Sequence, residues 1–279
     1  MSTIDNWNNP QIISFDLLFD RYSINANFDA KTIENMLPVL EEFKQPAKIQ
    51  LRAGFPPNPN TSPGRLFPKR MTTVTSNNTP NIIYKVFEHI SESKGSCFMA
   101  NTLRPPMAQL VQETISRRHL TEFGVAKKGL FPLFSKETIS NLDEININKA
   151  FIVCVEKKDI LSFIETREII KKMNFDSQKR LAEQACTIPE ETGLGDFTIY
   201  NIQRDAKKNL FYILDTEPLY GELLINKFGK GFEQNKTLSE KCTLKSCAKW
   251  GLSQFKRSCE DYNLEIFINT AQSHLEKFD

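Results

Sequence analysis

Apolar and polar residues alternate in blocks along this chain of 279 residues, and the blocks predict both strands and helices. Short apolar runs between polar residues are typical of buried strands, and they lie at 81–87, 129–134, 150–155 and 210–214. Apolar residues three and four positions apart are typical of amphipathic helices, and they lie at 32–43, 105–120, 162–173, 176–187 and within 222–279. Together the two patterns predict an α+β fold.

Polar residues and prolines indicate where the first two helices begin. Asp29 or Thr32 is suited to cap the first helix, in which Pro38 separates the first turn from the rest. We expect the second helix to begin at Pro105-Pro106, because proline is tolerated in a first turn.

The next two helices carry similar signals. Ser162 is suited to cap the helix at 162–173. Asp176 or Ser177 is suited to begin the helix that follows, and we expect Pro189 to end it, because proline cannot donate an intrahelical hydrogen bond.

The segment 193–217 concentrates the candidate chemistry. Gly193 and Gly195 predict a turn, because glycine adopts backbone angles closed to other residues. Asp196 follows this turn, Asn201 comes five positions later, and Asp215 ends the apolar run 210–214. The polar break before that run predicts a hairpin, with these three side chains at one end of it. Their oxygens are the hard ligands that Mg²⁺ prefers.

This spacing resembles the catalytic core of the protein-kinase-like fold, and most closely its aminoglycoside and choline phosphotransferase branch. In that branch the pattern is approximately H-G-D-x4-N, then a strand, then D-x-E. The resemblance implies that Asp196 orients or deprotonates an attacking hydroxyl and that Asn201 and Asp215 hold magnesium ions. Two departures are visible: Leu194 replaces His or Arg, and Thr216-Glu217 replaces Phe-Gly.

The same resemblance gives roles to residues earlier in the chain. The resemblance implies that Lys85, on the strand 81–87, is the lysine that pairs with nucleotide phosphates. The alternative is a solvent-facing strand residue. The resemblance also implies that Glu113, on the second helix, is the glutamate that pairs with this lysine. Glu122 is an alternative, and an ordinary surface acid is another. Residues 156–159, after the central strand 150–155, resemble the hinge that holds adenine through backbone groups.

The implied architecture is two-lobed, with a small antiparallel-sheet N-lobe and a reduced, mostly helical C-lobe. Its parts are an N-terminal helical extension (1–52), a flexible Pro/Asn-rich segment (53–80), the N-lobe (81–156) and the C-lobe (157–279). One expected feature is missing: Gly54 and Gly64 are too far apart, with prolines between them, to form a glycine-rich phosphate flap.

Composition adds few constraints. The net charge of +2 predicts no nucleic-acid partner. No run of roughly 18 apolar residues is present, and the first residues lack the basic start and apolar core of a signal peptide, so we expect no membrane anchor. The expected location is the cytoplasm, or a host cytosol reached without a classical signal peptide.

Six scattered cysteines, at positions 97, 154, 186, 242, 247 and 259, do not predict a metal site. The gap between Cys242 and Cys247 is wrong for a zinc knuckle, and the chain has only three histidines. Cys154 and Cys186 lie in apolar or helical surroundings typical of buried, reduced thiols.

Three hypotheses follow. The first is an ATP- and magnesium-dependent phosphotransferase whose partners are a nucleotide and a hydroxyl-bearing acceptor. The second is a catalytically inactive kinase-like (pseudokinase) module that binds a protein partner. It is similar to divergent kinase-like proteins of bacteria that live inside host cells, and could act as an effector. The third is an unrelated α+β protein with a polar hairpin.

Overall fold

The computed structural model describes residues 28–43, 71–87, 96–133, 151–216 and 244–278, and these form two compact units. The sheet unit contains the described residues between 28 and 105, together with Lys127–Lys157. The helical unit contains Pro106–Ala126 and the described residues from 158 onwards. The chain is an α+β protein with a small antiparallel sheet and several helices.

Fourteen elements follow one another along the described residues. In the sheet unit these are α1 (Ala30–Phe43), β1 (Met71–Ser76), β2 (Thr79–Phe87), β4 (Lys128–Pro132) and β5 (Phe151–Glu156). Helix α2 (Ser96–Arg117) contributes to both units. The helical unit adds β3 (Phe123–Val125), α3 (Phe163–Lys172), α4 (Phe175–Thr192), a 3-10 turn (Ile199–Asn201), β6 (Ile202–Arg204), β7 (Phe211–Ile213), α5 (Leu244–Glu260) and α6 (Glu265–Glu276).

The sheet unit is built on four antiparallel strands in the order β1-β2-β5-β4. The prediction that the strand at 150–155 is central and buried is confirmed, because β5 lies between β2 and β4. Lys85 pairs with Val153, and Tyr84 pairs with Cys154. Successive side chains on a strand point to opposite faces, so Tyr84 and Lys85 lie on opposite faces of the sheet.

Helix α1 covers the Tyr84 face of this sheet. Met36, Val39, Leu40 and Phe43 of α1 share one buried cluster with Tyr84 and its neighbours on β4 and β5. The centroids of the Phe43 and Tyr84 rings are 5.5 Å apart. The segment expected as an N-terminal extension therefore supplies part of the core of the sheet unit.

The cap predicted for α1 is confirmed, and Asp29 forms it. The Thr32 backbone N–H donates to Asp29 Oδ1 at 2.8 Å, and the Thr32 hydroxyl lies 3.0 Å from Oδ2. These hydrogen bonds lower the pKa of Asp29. The helix continues through Pro38, so the expected separation of its first turn is wrong.

The helical unit packs α4, α5 and α6 against one another, and their buried residues share one core with a second, three-stranded sheet of order β3-β7-β6. Strand β7 is parallel to β3 and antiparallel to β6. Phe255 of α5 lies between two other aromatic rings, 5.0 Å from Phe197 and 6.2 Å from Phe267. All three rings are buried in the core that supports the candidate site.

Three expectations about proline-containing or polar segments are wrong. Helix α2 begins at Ser96, well before Pro105. Helix α4 passes through Pro189 and ends at Thr192, and its cap is Asn174, not Asp176 or Ser177. A proline in a last turn removes one hydrogen bond, and that turn still closes here because the Gly193 N–H donates to the Pro189 carbonyl.

Part of the segment expected to be a flexible connection belongs to the sheet. Residues 71–80 form β1, a turn and the start of β2, because Thr and Val residues favour strands and Asn77-Asn78 favours a turn. The pairing register of β1 with β2 shifts between Thr75 and Ser76, next to this turn. Residues 53–70, the loop at 136–148 and the segment 217–243 lie outside the described residues. No helix in the described part has the length and apolar character needed to cross a bilayer.

Candidate functional site

The end of α4 sets the path of the loop that carries Asp196. Gly193 has a φ of 66° and is the one glycine with positive φ in the described part of the chain. The Thr192 hydroxyl donates to the Ile188 carbonyl at 2.7 Å and accepts the Leu194 N–H at 3.2 Å. The predicted glycine turn is thus present, and Gly193 supplies its left-handed residue.

The Asp196 loop is held closely against α5. Leu194 and Phe197, on either side of Asp196, are fully buried, and the Phe197 ring contacts Phe255. A Cβ atom at Gly251 would lie 2.2 Å from the Leu194 carbonyl oxygen. Only glycine permits so close an approach of two backbones, and Asp196 is therefore held half-buried between two buried neighbours.

Asn201 links the Asp196 loop to the residues around Asp215. Its side-chain Nδ2 donates to the Asp196 backbone carbonyl at 3.3 Å. Its own carbonyl accepts the Leu214 N–H at 2.8 Å, and Asp215 is the next residue. Its N–H donates to the Thr198 carbonyl at 3.1 Å, closing the 3-10 turn. One asparagine thus contacts one loop through its side chain and the other through its backbone.

Strands β6 and β7 form the predicted hairpin. Ile202 pairs with Ile213, and the chain reverses beyond Arg204 and Phe211. Since Asn201 precedes β6 and Asp215 follows β7, both residues lie at the end of the hairpin remote from its turn.

The carboxylate of Asp205 closes the turn of the hairpin. Asp205 Oδ1 accepts the backbone N–H groups of Lys207 at 2.8 Å and Lys208 at 2.7 Å. The bond from Lys207 is the main cause of the lowered pKa of Asp205. Because these hydrogen bonds engage the buried Asp205 carboxylate within the turn, its role is structural.

Asp196, Asn201 and Asp215 carry side-chain oxygens, the type of ligand that a hard cation prefers. Asn201 uses its amide nitrogen on Asp196, so its Oδ1 is the end that can act as a ligand. Asp196 and Asp215 are both half-buried. In the described residues no group of three or more His, Cys, Asp or Glu side chains could hold a metal. A magnesium ion here would therefore need oxygens from a substrate, as Mg²⁺ commonly does.

The two residues expected to act on nucleotide phosphates, Lys85 and Glu113, lie in different units. Lys85, in the sheet unit, is half-buried on the sheet face that α1 does not cover. Glu113, in the helical unit, is exposed and accepts a hydrogen bond from Gln109 Nε2 at 3.0 Å. The alternative, Glu122, is buried and accepts from Arg180 Nε at 2.7 Å. Glu122 therefore has a structural role.

The segment expected as a hinge uses its first backbone groups within the sheet unit. The Glu156 N–H donates to the Lys127 carbonyl at 2.8 Å, and the Lys157 N–H donates to the Asn81 carbonyl at 2.7 Å. In the helical unit, the Asp159 carbonyl accepts the Ala206 N–H at 2.8 Å. A hinge role for 156–159 stays a prediction.

Sequence reasoning missed two supports of the site, both on α5. The Ser258 hydroxyl lies 2.9 Å from the Ile199 nitrogen and accepts its N–H. Gly251 allows the approach of Leu194. A glycine inside a helical pattern frequently has a packing reason, so Gly251 left a signal, whereas Ser258 left none.

No family model, curated protein sequence or solved structure matches the chain.

Proposed function

We propose that the chain is an ATP- and magnesium-dependent phosphotransferase of protein-kinase-like fold that acts on a hydroxyl acceptor. The observation that carries the proposal is the contact made by Asn201 with the Asp196 carbonyl, together with its backbone bond to Leu214, next to Asp215. The three residues assigned by the resemblance are thereby neighbours in the fold.

The order of elements supports the same proposal. A strand with Lys85 is followed by a helix with Glu113, then by the three strands β3, β4 and β5, two helices, the Asp196 loop and the hairpin. In the sheet, the Lys85 strand borders β5, and α1 covers the face opposite Lys85. A two-lobed kinase-like fold with a reduced helical lobe accounts for this order.

Each residue has a defined task in this proposal. Asp196 accepts a hydrogen bond from the acceptor hydroxyl and orients it, and Asn201 and Asp215 offer oxygens to the metal. The resemblance assigns Lys85 and Glu113 to the nucleotide phosphates. A bound magnesium ion supplies charge neutralisation on the phosphates. Such catalysis is mainly positioning and electrostatic stabilisation, which explains why few residues suffice.

A catalytically inactive kinase-like module is the second candidate. Leu194, in place of His or Arg, is fully buried in the core against α5 and offers no polar group to the site. No glycine-rich flap is visible in the sequence either. Both observations favour binding without phosphate transfer.

Nucleotide binding is tested by thermal unfolding of the full chain with ATP, with and without Mg²⁺. A ligand at about 100 times its Kd stabilises the folded state by about 2.7 kcal/mol, which corresponds to a shift in Tm of roughly 4–5 °C at this chain length. Asp215→Asn should remove the magnesium-dependent part. Asp176→Asn, an exposed acid in the first turn of α4, should retain it. A wild-type protein without a magnesium-dependent shift contradicts the proposal.

Turnover separates the two candidates. ADP release is measured with a panel of sugars, aminoglycosides, choline and protein acceptors. For an active enzyme, Asp196→Asn lowers kcat by about 10²–10⁴ while the Mg-ATP shift is unchanged. Binding of Mg-ATP with no ADP release for any acceptor favours the inactive module.

A further inference from the structure

The sheet unit contains a polar pocket in which Glu156 alone also belongs to the segment 156–159 expected as a hinge, and a hinge acts through its backbone groups. It has a volume of about 260 Å³ and opens where the start of α1 meets the turn between β1 and β2. Pockets for drug-sized ligands are roughly 300–1,000 Å³, so this one admits a smaller molecule.

The pocket lies on the α1 side of the sheet. Ile82, one of its lining residues, is buried in the same cluster as Tyr84 and α1. Lys85, three residues further along β2, points to the opposite face. A ligand in the pocket would therefore not occupy the face assigned to the nucleotide.

Both carboxylates that line the pocket are already engaged by the chain. Asp29 accepts two hydrogen bonds from Thr32. Glu156 Oε2 accepts the Lys127 backbone N–H at 3.2 Å. These bonds fix the rim and reduce the capacity of both acids to bind a cation.

The remaining polar side chains are three carboxamides, one ammonium and two threonine hydroxyls. The hydroxyls are engaged, that of Thr32 with Asp29 and that of Thr79 with the Tyr84 hydroxyl. Asn35, Asn78 and Asn81 line the pocket and are exposed, and their side chains make no hydrogen bond within the part of the chain that the structure describes. Lys127 is also exposed at the rim. Phe28 adds apolar surface. Each carboxamide can both donate and accept, which matches the hydrogen-bonding capacity of a hydroxyl group.

We propose that this pocket binds a small, uncharged polyhydroxylated molecule, of the size of a monosaccharide or a cyclic polyol. The carboxamides would bond its hydroxyls, Lys127 would donate to a further oxygen, and Phe28 and Ile82 would contact its C–H groups. An anion is disfavoured, because two carboxylates and one lysine give the lining a net negative charge.

The test is calorimetry and NMR titration of the full chain with four uncharged probes: glucose, mannose, N-acetylglucosamine and myo-inositol. Inorganic phosphate and glucose 6-phosphate form the anionic arm. Saturable binding of at least one uncharged probe is expected, and Asn78→Ala and Asn81→Ala should each weaken it about tenfold, the effect of losing one hydrogen bond. Asn269→Ala, an exposed asparagine on α6, should leave the affinity unchanged.

Three results would overturn the proposal: no saturable binding of any uncharged probe, binding of phosphate in preference to them, or equal affinity in the pocket variants and the α6 control. Far-UV circular dichroism verifies that the variants fold. The Mg-ATP shift is measured in the same variants and should be unchanged, so that failure of this proposal is distinct from failure of the phosphotransferase proposal.

Discussion

Gly251 allows the Asp196 loop to lie close to α5, because glycine has no Cβ atom. Alanine normally stabilises a helix interior relative to glycine by roughly 0.5–1 kcal/mol. At Gly251 the added Cβ would lie 2.2 Å from the Leu194 carbonyl oxygen, and relieving this clash requires a backbone shift. We therefore expect Gly251→Ala to lower the free energy of unfolding by about 1–3 kcal/mol, measured by urea denaturation. Arg257→Ala, at an exposed position of the same helix, should change it little, and a stabilised Gly251→Ala protein would exclude the close packing.

His274 is a second residue whose contacts make a sharp prediction. It is buried on α6, with Nδ1 2.6 Å from Glu190 Oε1 and Nε2 2.8 Å from Glu183 Oε2, both on α4. Carboxylates accept only, so this geometry favours the protonated imidazole, in which both ring nitrogens donate. The Lys277 ammonium, whose Nζ lies 3.2 Å from Nδ1, opposes that charge. The bond to Glu190 raises the pKa of His274, burial opposes it, and the bond to Glu183 adds to it.

The sign of the pH dependence follows from that raised pKa. The pKa of an unfolded histidine is about 6.5, so the stabilisation is complete below about pH 6.5 and is lost as the pH rises through the folded-state pKa. We expect the wild-type free energy of unfolding to fall over that range. His274→Gln should lose about 1–3 kcal/mol at low pH and show a weaker pH dependence. His119→Asn, at an exposed histidine with positive φ, should keep the wild-type dependence, and an unaltered profile in His274→Gln would contradict the prediction.

At the scale of elements, the capping box of α3 lies next to the residue that bonds this helix to the hairpin. Ser162 Oγ accepts the Glu165 N–H, and the Glu165 carboxylate accepts the Ser162 N–H at 2.8 Å, a reciprocal capping box. Thr166, one residue further, accepts the Arg204 N–H of β6 at 3.0 Å. Ser162→Ala should therefore cost about 1 kcal/mol of stability and speed amide exchange at Arg204. Ser273→Ala, exposed on α6, is the control. Equal exchange rates of the Arg204 amide in both variants would show that the cap does not stabilise the hairpin.

Local signals predicted the elements that local physics determines. The Ser162 cap and the buried strand β5 follow from capping chemistry and from a continuous apolar run. Pro189 and Pro105 gave wrong boundaries, because each proline lies inside its helix and is buried there. Strand β1 was missed because a Thr-rich sequence next to prolines has the composition of a loop, and only pairing with β2 makes it a strand.

The candidate site was predictable as far as it is local. The hairpin and the positions of Asn201 and Asp215 at one end of it follow from spacing. The contacts that hold the site are long-range: Ser258 bonds Ile199, and Gly251 admits Leu194. No pattern within one segment reveals which residue of a distant helix will face a loop.

At the scale of the whole molecule, the cysteines report on both units at once. Cys154 is buried in the sheet unit, and Cys186, Cys247 and Cys259 are buried in the helical unit. Burial raises the pKa of Cys154, Cys186 and Cys259, which disfavours the reactive thiolate. The chain has six cysteines, and we expect these four buried thiols to react slowly in the native protein.

Labelling with N-ethylmaleimide followed by mass mapping tests this expectation, with all six thiols reacting in denaturant as the reference. Protection of Cys154 reports the packing of α1 on the sheet, because Cys154 shares a cluster with Met36 and Tyr84. Protection of Cys186 and Cys259 reports the core that supports the Asp196 loop. Rapid native labelling at Cys154 alone would contradict the sheet-unit core. Rapid labelling at Cys186 would contradict the helical core, and with it the close packing on which the candidate site depends.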